Sequence, residues 1–330
     1  MIGPRTSALA LCLHLALLTC AAQQPIGSQP PVAATASLET PAEQIRSTVA
    51  FIQVDYKDGA DVKGVVGTCF FISIPDKRLG EGRSFTYLVT NRHVAQPGID
   101  IGTPYRVSDA LIRINLVATQ GASGSFTGRI PLSDELHWYL PKDDAVDLAI
   151  LPFAPDQKTY AYKNIPSTMI ATSEQVKGGD VVVGDRVVFA GYFTNFPGQI
   201  RIEPIIREGV IAMLPDEDLD TTLHKPGRVY LADLHAFHGN SGSPVFVNTA
   251  GTHHGTFTMG DKFLLLGIIS GYFPESVGYS VPAASVLTGE VHDNSGIASI
   301  VPAEELKKLL ESPEIRAQQE REIAKLPKTP

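Results

Sequence analysis

The chain has 330 residues, enough for one large domain or two moderate ones, and 43% hydrophobic content can fill a sizeable core. Its net charge of −8 argues against nucleic acid or an anionic membrane surface as partner. Three cysteines are too few for a disulfide framework, because Cys12 and Cys20 fall in or beside a leader segment and Cys69 stands alone in the body.

The first 22 residues read as a signal peptide. Arg5 supplies a short basic region, Ala8 to Leu18 is an apolar run too short for a stable span, and cleavage after Ala22 fits. Leu17-Leu18-Thr19-Cys20 partly matches a lipobox, so membrane anchoring is expected only if Cys20 is lipidated. The localisation expected is secreted or periplasmic, or lipid-anchored to the envelope. Residues 23–42, rich in Gln, Pro, Ala, Ser and Thr, read as a disordered tether.

From Ser47 onward, short apolar runs alternate with Gly/Pro turns. Thr48 to Val54, Val65 to Ile74, Phe85 to Thr90, Ala110 to Val117 and Asp147 to Leu151 form a first set. A Pro/Lys/Tyr-rich link near 153–180 precedes a second set, which includes Val181 to Ala190, Ile205 to Ala212, Arg228 to Leu231, Val245 to Val247, Leu264 to Ser270 and Gly278 to Val281. Many short strands with few helical patterns read as all-β, sandwich or barrel. Cys69, inside an apolar strand, reads as a small buried residue. After Pro302, the acids and then lysines of Ala303 to Leu310 fit a helix with Leu306, Leu309 and Leu310 on one face. Pro313 is expected to end that helix, and Glu314 to Pro330 to be polar and mobile.

Three segments carry chemistry. Thr90-Asn91-Arg92-His93-Val94-Ala95 follows a strand run, Asp147-Leu148-Ala149-Ile150-Leu151 opens one, and His238-Gly239-Asn240-Ser241-Gly242-Ser243-Pro244 precedes one. A serine hydroxyl attacks a carbonyl only when a base takes its proton and donors meet the oxyanion. Flanking glycines let the backbone turn sharply and gather N–H groups. Taken alone, the last segment also reads as a Gly/Ser turn between strands. Asp143 and Asp144 compete with Asp147, but they sit in a polar turn, whereas Asp147 opens an apolar strand and can be held rigidly.

Three segments in the order His, Asp, Ser resemble a chymotrypsin-fold serine protease, closest to the bacterial HtrA-like branch. Gly267-Ile268-Ile269-Ser270-Gly271 and Gly278-Tyr279-Ser280-Val281-Pro282-Ala283 support the likeness. The resemblance implies two six-stranded antiparallel β-barrels over 43–302, split near 153–180, with a C-terminal helix and tail over 303–330. It implies Ser241 as nucleophile, His93 as base, Asp147 as its orienting acid, and the N–H groups of Gly239 and Ser241 as oxyanion hole. The primary pocket falls to His235, Ala236, Phe237, His238, Ser270, Gly271 and Tyr272, with residues near Gly278. No carboxylate is placed at the pocket base, so small to medium apolar residues are expected before the scissile bond; the alternatives are a Glu side chain recruited by His235 and His238, or a longer loop that brings Asp233 into the pocket. The substrate implied is a polypeptide; no cofactor or metal is called for. The HtrA branch usually continues into a PDZ domain, for which the stretch after residue 302 is too short.

Two departures matter. Asn240 stands where animal zymogens carry an aspartate that pairs with a newly cut N-terminus, so activity without such a cut is implied. Ser243 stands where many relatives have glycine. Asp233 is expected to act as a structural hydrogen-bond acceptor. His253-His254 reads as a hairpin tip, and Asp216 to Asp220 fails as a calcium loop because Thr221 replaces the needed glycine. The alternatives are a non-catalytic binding module on the same fold and an α/β-hydrolase esterase; the latter needs a G-x-S-x-G motif and the reverse residue order.

Overall fold

In a computed structural model, the described residues are 39–117, 127–132, 137–253, 256–281 and 287–326. The expected leader, Cys20, most of the tether, His254, Pro282 and Ala283 lie outside them. Among the described residues no helix is long and apolar enough to cross a membrane.

The folded unit begins at Glu39, not residue 43. Helix α1 (Pro41–Arg46) starts on a capping box in which Thr40 and Glu43 exchange hydrogen bonds. Ile45 is buried, and Arg46 pairs with Glu203. The stretch 39–42 thus belongs to the body and not to a tether.

A first sheet is built from β1 (Val49–Asp58), β2 (Asp61–Pro75), β3 (Ser84–Thr90), β4 (Arg106–Asn115), β5 (Thr127–Pro131), β6 (Ala149–Pro152) and the two-residue β7 (Ile165–Pro166). A one-turn helix, α2 (Arg92–Ala95), follows β3. The path is β5-β4-β1-β2-β3-β6, with β7 parallel to β2. Among the described residues no ladder joins β5 to β6, the two ends of this six-strand path. Tyr139 bridges to Ile150 on the outer edge of β6. The period-2 alternation of strands gives β2 and β3 two buried faces. Cys69, Phe71 and Leu88 fill the inside of the first sheet. Phe70, Ile72, Tyr87 and Val89 face outward into a core shared with the second sheet. Burial pushes the Cys69 thiol's pKa far up, as befits a small core residue.

The link is itself structured. β7 is sewn to β2 at Ile72↔Ile165, Ile170 bridges to Leu265 across the second unit, and helix α3 (Ser173–Gly178) is capped by Thr172. The second sheet is a closed barrel in the order β12-β17-β16-β13-β8-β9. Its strands are β8 (Arg186–Gly191), β9 (Ile205–Met213), β12 (Tyr230–Asp233), β13 (Pro244–Asn248), β16 (Phe263–Val281) and β17 (Leu287–Pro302). Two small hairpins hang from it, β10 (Leu219–Asp220) with β11 (Pro226–Gly227) and β14 (Gly251–His253) with β15 (Thr256–Thr258). Val187, Phe189, Val245, Val247, Leu266 and Ile300 fill the interior. Gly278 to Val281 is the far end of β16 and not a separate strand, and β17 had no counterpart among the expected strands.

The chain ends in two helices, α4 (Ala303–Leu310) and α5 (Pro313–Ala324). Leu306, Leu309 and Leu310 dock into the shared core as expected. Pro313 opens a helix instead of ending order: at N1 its missing N–H costs nothing, and the Ser312 hydroxyl caps Ile315 N. Ile315 is fully buried, and the Tyr87 hydroxyl donates to Gln318 and accepts from Gln319. Each buried aliphatic side chain here contributes roughly 1.5–3 kcal/mol.

Candidate active site

β3 delivers Thr90 to the rim of the first sheet, and α2 turns His93 into the space beyond. Arg92 anchors this turn: it is buried, and its guanidinium donates to the Pro141 carbonyl at 2.7 Å. Asn91, also buried, donates to the Asp147 carbonyl at 2.8 Å. The loop ahead of β6 is thereby tied to the histidine turn. Asp147 is 1% exposed. Its Oδ1 accepts from the His93 backbone N–H at 3.0 Å, and its Oδ2 lies 2.7 Å from His93 Nδ1. A carboxylate can only accept, so Nδ1 carries the proton and Nε2 keeps a lone pair for another partner. Thr222 donates a third bond to Oδ2 at 3.0 Å.

Asp143 and Asp144 are spent elsewhere: the Asp143 carboxylate caps the Ala145 N–H, and exposed Asp144 pairs with Lys225. Burial alone would lower the pKa of His93, but the charge of Asp147 and their hydrogen bond outweigh it, so the imidazole titrates above its ordinary 6.5. Burial alone would raise Asp147, but His93 and the three donors hold it below the usual carboxylate range.

The serine loop precedes β13 and is fixed from the other side. Thr68 of β2, fully buried, is its hub. The Thr68 N–H donates to Ser241 O at 2.8 Å, its hydroxyl to Gly239 O at 2.8 Å, and its own carbonyl accepts from the Thr90 hydroxyl at 2.9 Å. Gly242 has φ +87, and a Cβ there would lie 2.0 Å from Thr68 O, so only glycine fits. Gly239, at φ +90, turns the chain against the Tyr192 ring. At Gly67 the loop meets the histidine turn, since a Cβ there would touch both Ser241 O and the Val94 methyls.

Asn240 is 1% exposed and wholly satisfied by backbone: its Oδ1 accepts from Phe237 N at 2.9 Å, and its Nδ2 donates to Tyr192 O at 2.7 Å. The amides of Asn240, Gly242 and Ser243 bond to Phe237, Ile269 and Asn240 carbonyls. Those of Gly239 and Ser241 have no acceptor among the described residues. The Ser241 hydroxyl donates to Ser270 O at 3.4 Å and not to His93. Ser243, fully buried, packs on Gly191, and its hydroxyl has no partner among the described residues.

The expected pocket residues separate by strand alternation beyond β12. Leu234 and Ala236 point into the barrel core, so Ala236 is not a wall residue. His235, Phe237 and His238 are exposed. The His235 ring lies over Gly296, and the Arg207 guanidinium sits 4.8 Å above the Phe237 ring. Ser270 is buried with its hydroxyl on Ser299, while Gly271 packs on Thr222. Opposite Tyr272 stands Ala298, whereas Gly278 pairs with Glu290 farther along the hairpin. Gly271 and Tyr272 thus lie beside Ser299 and Ala298 of β17, and Gly278 lies farther along the hairpin. The Asp233 side chain is exposed and accepts no hydrogen bond among the described residues, so the structural acceptor expected is not seen there. His253 Nε2 lies 3.1 Å from Asp185 Oδ1, and the described residues hold no group fit for a metal.

Thr222 and Thr68 were not found by sequence reasoning. Both lie outside the motifs, and a threonine near a turn carries no signal that separates a site hydroxyl from a surface one. A search of curated proteins found no match to the chain. Among solved structures it is similar to the active form of the Rv3671c protease from M. tuberculosis, at 17% identity and TM-score 0.44, covering 88% of this chain and 93% of that one. It is also similar to Deg5, at 15% identity and TM-score 0.39, covering 69% of this chain and 81% of that one. The family profile of the trypsin-like peptidase domain matches residues 67–255, which hold all three segments singled out above and more than half of the chain. The chain belongs to the trypsin-like peptidase family and is a serine endopeptidase.

Proposed function

We propose that this peptidase cleaves polypeptides through an acyl-enzyme formed on Ser241. The observation that carries the reading is the Asp147–His93 pair: a buried carboxylate fixes Nδ1–H and leaves Nε2 free beside a serine loop held rigidly by Thr68. Rotation of the Ser241 hydroxyl from Ser270 O toward Nε2 starts the reaction. His93 takes the proton as Oγ bonds to the scissile carbonyl carbon. The oxyanion is met by the N–H groups of Gly239 and Ser241. Collapse expels the amine, which leaves with the proton from His93, and water then repeats the sequence on the ester. Asp147 orients the ring and stabilises its cation.

Asn240 supports activity without a cut at the N-terminus. Its partners are two backbone groups, so no incoming ammonium is needed to hold the loop. The pocket reading favours small to medium apolar residues before the scissile bond, with Lys and Arg disfavoured further by the Arg207 cation beside Phe237. A one-methylene difference there is worth about 1–3 kcal/mol. Export from the cytoplasm, with an anchor only if Cys20 is lipidated, completes the reading and rests on the leader composition alone.

The test is Ser241→Ala. Peptide hydrolysis should fall by at least about 10⁴-fold with the thermal unfolding midpoint unchanged. Turnover equal to the unsubstituted enzyme would sink the assignment. A peptide-library profile tests the pocket: dominant cleavage after Lys or Arg would contradict it.

A further inference from the structure

The Thr68 hydroxyl stands where three segments meet. It accepts from the Tyr192 N–H at 2.9 Å and lies 2.8 Å from the Gly239 carbonyl. An amide N–H can only donate and a carbonyl can only accept, so the one hydroxyl proton is committed to Gly239 O. Thr68 is fully buried. In such surroundings a hydrogen bond is stronger than in water, and an unmet polar group costs more.

The donor that orients this hydroxyl is itself fixed. The Tyr192 ring meets Phe51 edge-on, with centroids 4.7 Å apart, and Phe51 is the register partner of Thr68 across β1 and β2. The same ring abuts Gly239, where a Cβ would lie 2.5 Å from Tyr192 Cδ1. The Tyr192 carbonyl accepts from Asn240 Nδ2. Both backbone groups of Tyr192 therefore serve the side chains that shape the serine loop. The result is a Gly239–Asn240 peptide held at both ends: Thr68 holds its carbonyl, and Phe237 O accepts its N–H at 2.9 Å. The Gly239 N–H belongs to the peptide just before it. Glycine at φ +90 has no side chain to resist rotation about its own bonds. The neighbouring peptide plane is what fixes the direction of that N–H.

We infer that Thr68 is a positioning residue for the oxyanion hole: its hydroxyl holds the Gly239–Asn240 peptide so that the Gly239 N–H faces the developing oxyanion. The inference rests on the proposed acyl-enzyme chemistry at Ser241 and deepens it. Without the hydroxyl, Gly239 O loses its one donor among the described residues. Turning the peptide toward solvent relieves that loss and carries the Gly239 N–H off its line. The effect falls on the transition state, where the oxyanion forms, and not on the bound substrate. The Thr68 backbone N–H, which holds Ser241 O, is a separate device and survives replacement of the side chain.

The test is Thr68→Val in the full chain, which removes the hydroxyl at nearly constant shape. For a peptide substrate kcat should fall about 10²-fold, the worth of one oxyanion donor. KM should change less than about threefold. Affinity for a peptide aldehyde, whose adduct puts an oxyanion in the hole, should fall in parallel with kcat. The pH limb of kcat/KM should stay in place, because His93 and Asp147 are untouched. Thr68→Ser keeps the hydroxyl and should restore kcat to within about threefold. Thr48→Val removes another buried hydroxyl bonded to a backbone carbonyl, that of Ile45 just ahead of β1. It should lower the unfolding midpoint comparably and leave kcat unchanged. Should the valine variant not fold, Thr68→Ala carries the same prediction with fewer atoms to fit. Unaltered kcat in the valine or alanine variant, a loss carried by KM alone, a serine variant as poor as valine, or an equal kcat loss in Thr48→Val would overturn the inference while the unsubstituted enzyme still cleaved peptide. Unsubstituted protein that neither cleaves peptide nor labels at Ser241 with a fluorophosphonate would strike the catalytic reading instead.

Discussion

The acid–base half of the site and the nucleophile half are held in different ways. His93 and Asp147 come from one sheet and are locked by side chains: Asn91 on the Asp147 backbone, Thr222 on its carboxylate, and two bonds between the pair. Ser241 comes from the other barrel, and its loop is held through its main chain: the side chains of Thr68 and Asn240 bond to backbone groups around the serine and leave its side chain alone. Orientation is thus built into the base in advance, whereas the nucleophile has a fixed position and a turning hydroxyl. A base needs one tautomer and one direction. A nucleophile must face first the proton acceptor and then the carbonyl, so freedom about its own side-chain torsion is useful to it.

Substitutions can break each half separately. The largest effect should come from Asp147→Asn. An amide can present its N–H₂ to Nδ1 and favour the wrong tautomer, which in such a triad costs about 10⁴ in kcat. The pH profile supplies a second readout. With Asp147 present, His93 titrates above 6.5, so kcat/KM should rise with pH through a limb above that value, because only neutral His93 accepts the proton. The residual activity of Asp147→Asn should show its limb at lower pH, since the charge that raised it is gone. An unshifted limb would mean that Asp147 does not face the base. The sign for stability is opposite. The raised pKa of His93 stabilises the fold below its unfolded value near 6.5, and that contribution is lost as pH climbs through the folded value.

The nucleophile half should yield next, through stability. Gly242→Ala puts a Cβ 2.0 Å from a backbone oxygen at φ +87 and should destabilise by at least about 3 kcal/mol in urea unfolding. Gly59→Ala, also at positive φ but with open space around it, should cost only about 1 kcal/mol. Equal costs would show that the loop is not pinned against Thr68. The smallest effect belongs to Ser243→Ala. That hydroxyl is buried with no partner among the described residues, so its removal should change stability by less than about 1 kcal/mol, toward the stable side. A large loss would reveal a bond not present here.

Much of this was legible from the residues. The His, Asp and Ser segments carry local chemistry, and the short alternating runs carry the β architecture. What escaped has identifiable causes. Thr222 and Thr68 act through long-range pairing, which no local pattern reveals. Pro313 was read as a stop because a proline inside a helical pattern breaks it, yet after Ser312 it sits at a helix start, where it is favoured. The likeness to the family places Ala236 in a pocket wall, but the period of the strand carries it inward. β17 was missed because its polar stretch, Gly289 to Ser295, lacks the apolar run of a core strand.

The central claim is that Ser241 is an activated nucleophile in the chain as folded. Treating the purified protein, without any prior cleavage, with a fluorophosphonate and mapping the adduct tests it directly. The account predicts one label per chain, on Ser241, forming faster as pH rises through the His93 limb and absent from urea-unfolded protein. A folded chain whose Ser241 stays unlabelled, or labels no faster than other serines, would contradict it.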